Sequence, residues 1–241
     1  MNIFKSNQPV DLSEHMLATY QTLRISLFVI ALSFPWILWI GGYLSGERLG
    51  LQPSMSDYYH AGNGAMRNWF VGILFAISGM LAAYKGYRPA ENIALNLAGI
   101  FAVLVALFPT GDALVSAHVI FAVCFFLCIA YVCIFCASAT LPLVKEERRG
   151  YYRRLYKLLG WAMVASPAAA SALTLILSAR SSYIFLAEAC GVYAFAVYWL
   201  IKTVEIKETS ADRKAATGVI ELSPGVGPSD AVRELPVIYA Q

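Results

Sequence analysis

One polar stretch interrupts an otherwise apolar sequence: Ser54-Met55-Ser56-Asp57-Tyr58-Tyr59-His60, a Gly/Asn link, then Met66-Arg67-Asn68-Trp69-Phe70. It sets hydroxyls, a carboxylate, an imidazole and a guanidinium between two hydrophobic segments. Asp57 and His60 stand three apart, so a local helical turn puts both on one side. Further candidates lie at the edges of later apolar runs: Asp112, His118 and Glu188. Imidazoles with carboxylates can hold a zinc ion and its activated water. Asp57, His60, Asp112 and His118 are the residues for such a site. Asp112 and His118 are six apart and share no helix face, and no H-E-x-x-H or H-x-x-x-H pattern occurs. The expectation is therefore no resident cofactor, with zinc as the alternative.

Each residue also has a plainer role. Asp57 and Asp112 can cap a helix or turn. His60 can be a solvated loop residue, and His118 can bond a backbone carbonyl. Glu188 is harder to place, because a carboxylate inside an apolar span costs about a few kcal/mol unless it is paired or protonated. It can snorkel to the interface or pair with Arg67, Arg180 or His118.

The elements that must position these groups follow from composition. The chain is 59% hydrophobic and 14% charged, against about 25% charged in a soluble domain. Six apolar runs cover 25–43, 69–84, 92–108, 114–141, 158–177 and 183–201. The first, at 1.5 Å per residue, reaches about 28 Å, enough for a hydrocarbon core of about 30 Å. Pro35 should kink it, and Trp36, Trp39 and Tyr43 at its far end suit a membrane interface. These features predict an all-α, polytopic transmembrane bundle of six spans over 25–202. Residues 1–24 form an N-terminal segment with a short interfacial helix near 12–22. Residues 203–241 read as a disordered tail, mixing Pro, Gly, Ser and charge. No cleavage site follows the first run, so that span is expected to be retained. The five cysteines all sit in apolar runs; Cys133-x-x-Cys136 lacks a second pair and reads as helix packing.

Charge sets the orientation. Of 18 Lys and Arg, only Arg48, Arg67 and Arg180 fall on the connections opposite the termini. Basic residues accumulate on the cytoplasmic side, so both termini are expected there, in a bacterial cytoplasmic membrane. Ser56, Asp57, His60, Arg67, Asp112, His118 and Glu188 then gather at the outer face. The basic segment 145–157, interleaved with Tyr151, Tyr152 and Tyr156, suits anionic lipid headgroups. A net charge of +3, scattered along the chain, excludes nucleic acid as the expected partner; membrane lipids are expected instead.

Three pieces carry a resemblance: Ser54-Met-Ser-Asp-Tyr-Tyr-His60; Met66-Arg-Asn-Trp-Phe-Val-Gly-Ile-Leu-Phe75 with Tyr84-Lys-Gly-Tyr87; and Asn96-Leu-Ala-Gly-Ile-Phe-Ala102 leading to Ala106-Leu-Phe-Pro-Thr110. Together with Tyr198-Trp-Leu-Ile-Lys202, they resemble a family of uncharacterised multi-pass bacterial membrane proteins. The resemblance implies a membrane bundle without an established activity, and it draws attention to Ser56, Asp57, Arg67 and His118. A more distant likeness is to intramembrane zinc hydrolases of the alkaline ceramidase type, which use Ser, Asp and three His; here the paired histidine of the last span is missing. The expected function is binding of a lipid or small solute in an outer polar pocket. Asp57 and Glu188 would be acceptors, Arg67 their counter-charge, and Ser56 and His118 pocket hydrogen-bonders. The alternative is a metal-dependent hydrolase of a lipid amide or ester.

Overall fold

The computed structural model of the protein describes residues 12–46, 50–109, 116–176, 182–221 and 233–234. Arg48, Asp112 and Arg180 lie outside them. The long helices are α1 (Leu12–Leu44), α2 (Ala65–Ala83), α3 (Pro89–Leu107), α4 (Ala117–Tyr131), α5 (Glu146–Ile176) and α6 (Tyr183–Thr209), followed by a short α7 (Ala211–Ala216). The only strand pairing among the described residues is minimal: β1 (Ile220–Glu221) runs antiparallel to β2 (Arg233–Glu234). The architecture is all-α.

Each long helix packs on its neighbour in chain order, and α6 returns to α1, so α1 to α6 close into a ring. Its inward faces are apolar and aromatic, with Leu27, Leu38, Leu81, Leu95, Phe195 and Trp199 fully buried. Its outward faces are apolar as well: Val29, Trp36, Ile93, Ile100, Leu127 and Phe135 are all exposed. A surface of that kind is a liability in water and natural in a bilayer. Among the described residues five helical segments are long and apolar enough to cross a membrane: 14–44, 62–83, 89–107, 117–143 and 183–209.

Several expected boundaries change. The segment near 12–22 is no separate helix; it is continuous with the first apolar run in a helix of 33 residues. No breaker lies between them, and Arg24 is accommodated by an ion pair to Asp212 at 2.7 Å. At about 50 Å, α1 exceeds the hydrocarbon thickness. The fourth run is not one regular helix either. After Tyr131 it passes through a π-turn, Val132–Cys136, and a 3-10 stretch, Ala137–Leu143, that contains Pro142. Proline lacks an N–H and crowds the preceding turn. Carbonyls in this stretch gain cationic donors: Arg88 Nη1 bonds Phe135 O at 3.1 Å, and Lys202 Nζ bonds Ala137 O at 3.1 Å. The expected disorder from residue 203 is corrected over 203–221. There α6 continues to Thr209, and α7 docks through Asp212 on Arg24 and Tyr87.

The loop before α2 is built to dock. Gly62, Asn63 and Gly64 all take left-handed backbone, with φ of 62°, 50° and 93°. Gly and Asn tolerate this region, so the chain reverses tightly into α2. Gly42 lets the loop approach α1: a Cβ there would stand 2.5 Å from Tyr58 Cε1.

Candidate functional site

The polar stretch folds over the start of α6. Residues Ser56–His60 form a 3-10 turn. Its entrance is closed reciprocally: Asp57 N donates to Ser54 Oγ, and Ser54 N donates to Asp57 Oδ2, each at 3.1 Å. This is the logic of a capping box at short range. Ser54 and Ser56 hydroxyls are also within 3.1 Å of each other.

The loop reaches α6 by three backbone-anchored contacts. Phe185 N donates to Pro53 O at 2.8 Å. Ser182 Oγ donates to Leu51 O at 3.2 Å. Met55 N donates to Glu188 Oε2 at 2.6 Å. Tyr58, 1% exposed, meets the Phe185 ring edge-on. Glu188 is thus an acceptor for loop backbone, and no ion pair holds it among the described residues.

His118 opens α4, whose first turn is capped by Ser116 Oγ accepting from Val119 N at 3.4 Å. Its Nδ1 donates to Phe108 O, at the end of α3, at 2.8 Å. The carbonyl can only accept, so the proton sits on Nδ1. The imidazole stacks on Phe70 with centroids 6.3 Å apart. It ties α3, α4 and α2 together at the same end of the ring as the loop.

Ser56, Asp57, His118 and Glu188 all line one cavity of about 250 Å³ inside the ring. Ser54 and Met55 complete its polar end. The body is apolar: Phe34, Phe70, Leu74, Phe125, Val192 and Phe195. Along α6 the lining runs from Ile184 to Phe195, about 16 Å at the helical rise. Gly191 sits at this wall, where a Cβ would come 2.5 Å from Ser166 Oγ and 3.0 Å from Phe126 Cε1. Ser166 in turn donates to Ala187 O at 2.6 Å, clamping α5 to α6.

Arg67, expected as counter-charge to the acids, is exposed and lies over the Tyr59 ring at 6.0 Å; it does not line the cavity. His60 is exposed, sits edge-on to Tyr59, and does not line it either. Asp112 is outside the described residues. Among those residues, no group of three His, Cys, Asp or Glu stands close enough to share a metal ion.

A second polar centre, at the opposite end of the ring, has no counterpart in the sequence-based expectations. Lys202 is 2% exposed and its ammonium makes three bonds: to Ala137 O at 3.1 Å, Thr140 Oγ1 at 2.7 Å and Glu205 Oε2 at 2.8 Å. Glu205, fully buried, also accepts from Thr140 and Tyr156, each at 2.5 Å. Nearby, Asp212 takes Arg24 at 2.7 Å and the Tyr87 hydroxyl. Burial first, then the charges of Tyr84 and Asp212, holds the Tyr87 phenol above its ordinary range, so it stays a donor. Glu91 accepts from Tyr87 N at 2.9 Å, while its Oε1, the Tyr198 hydroxyl and Trp199 Nε1 have no hydrogen-bond partner among the described residues. A signal did exist: Glu188, Phe195, Tyr198, Lys202, Glu205 and Thr209 recur at helical spacing, so one face of α6 runs inward past residue 201.

Compared with protein-family models, curated proteins and solved structures, the chain finds no match in any of the three.

Proposed function

We propose that the protein crosses a bacterial cytoplasmic membrane six times and binds an amphiphile, a lipid or small apolar solute with a polar head, in the cavity within its ring. The five apolar helices and the charge-free second half of α5, residues 158–176, support six crossings. The skew of Lys and Arg supports cytoplasmic termini and an outward-facing polar loop. The resemblance to multi-pass bacterial membrane proteins agrees with this reading.

The single observation that carries the binding proposal is the cavity's division. One end holds Ser56, Asp57, His118 and Glu188; the rest is aromatic and aliphatic. Apolar walls with a few convergent polar groups are the ordinary form of a small-molecule site. In this reading Asp57 and Glu188 accept hydrogen bonds from the head group, and Ser56 and His118 fix its orientation.

Filling the cavity tests it. Ala122→Phe places a ring in the apolar body, while Leu127→Phe alters an exposed position on the same helix. Binding of an environment-sensitive fluorescent amphiphile to purified protein is expected to fall at least about tenfold, some 1.4 kcal/mol, in Ala122→Phe and to hold in Leu127→Phe. Equal binding in both variants removes the proposal.

A further inference from the structure

We infer that the cavity selects amphiphiles with a positively charged head, a primary amine or ammonium, over neutral or anionic ones of the same length. This rests on the binding reading above and names the ligand class for that site.

Charge balance inside the cavity carries it. Two acidic side chains, Asp57 and Glu188, line it, and among the described residues no lysine or arginine does. Arg67 is turned to the Tyr59 ring and does not line the cavity. Among the described residues the one base on the lining is His118, with Nδ1 committed to Phe108 O. Glu188 stands within an apolar helix, yet among the described residues its hydrogen bond comes from a neutral backbone N–H, Met55 N, at 2.6 Å. That leaves a buried carboxyl group in a low-dielectric setting without a cation among the described residues. Such a group is costly alone and strongly attractive to a cation.

The opposite end of the ring sharpens the contrast. There the fold supplies Lys202 to Glu205 and Arg24 to Asp212 at 2.8 and 2.7 Å. Glu205 and Asp212 are thus each held by an internal cation. Glu188 has no such cation among the described residues, and it lines open space. The aromatic walls favour the same ligand. Phe70, Phe125, Phe126 and Phe195 are among the lining side chains, and aromatic rings attract ammonium groups. An anionic head would instead meet Asp57 and Glu188 at close range, which disfavours binding.

Octylamine, octan-1-ol and octanoate share a chain and differ in head charge. Their displacement of the fluorescent amphiphile is measured at neutral pH on the full-length protein, with Ala122→Phe as the filled-cavity reference. Octylamine is expected to bind at least about tenfold tighter than octan-1-ol, with octanoate weakest. Glu188→Gln is expected to abolish the preference for octylamine over octan-1-ol. Should Glu188→Gln fail to fold, the comparison of the three probes on the unaltered protein still decides the question. Equal binding of amine and alcohol, both lost in Ala122→Phe, overturns the charge selection and leaves the pocket. Displacement that ignores Ala122→Phe overturns both.

Discussion

At the scale of single residues, the most consequential pair is Lys202 and Glu205. Neither side chain reaches solvent, and each bonding position on the ammonium is used. A buried ion pair is weak grounds for net stability, because desolvating both charges offsets their attraction. Breaking one half is a different matter. Lys202→Met leaves the Glu205 carboxylate among Thr140 and Tyr156 without its cation. We expect a loss of about 3–5 kcal/mol, read from denaturant unfolding of the protein in detergent. The Lys202→Met, Glu205→Met double variant should lose clearly less than the two single variants summed. Simple additivity of the two losses would show that the pair is not energetically coupled.

Among the elements, α6 does the most. One face carries Glu188 at the cavity, Phe195 at its floor, and Lys202 and Glu205 at the far end. Its fit against α5 depends on Gly191, because the space a methyl group would take is filled by Ser166 Oγ and Phe126. Gly191→Ala is expected to destabilise by about 1–3 kcal/mol through overpacking. Adding Ser166→Ala removes the crowding hydroxyl, and with it the bond to Ala187 O. The melting temperature of the double variant should lie above that of Gly191→Ala alone. If it lies below, the bond from Ser166 outweighs the crowding.

On the scale of the whole molecule, the two ends of the ring differ in kind. One end holds the cavity and its acids; the other holds buried ion pairs and the docked α7. In the proposed orientation the cavity end faces outward. In a background with the five native cysteines replaced, a thiol reagent that cannot cross the membrane should label Asn68→Cys on intact cells. It should leave Glu147→Cys unlabelled until the cells are opened. Both positions are exposed on the protein, so protection reports sidedness. Labelling of Glu147→Cys on intact cells would overturn the orientation, though not the cavity.

What the sequence determined by itself is the class of object and the positions of its apolar helices. Transfer to lipid is summed residue by residue over a contiguous run, so composition alone carries it. The acids and imidazoles at the run edges were legible for the same reason. Their grouping was not. Met55 and Glu188 are 133 residues apart, and Arg24 and Asp212 are 188 apart. Hydrogen bonds and ion pairs act over a few ångströms, so only closure of the ring decides which charges meet. That closure put Glu188 and His118 on one cavity, turned Arg67 away from it, and assembled the Lys202–Glu205 centre from residues that look, in sequence, like the frayed end of a helix.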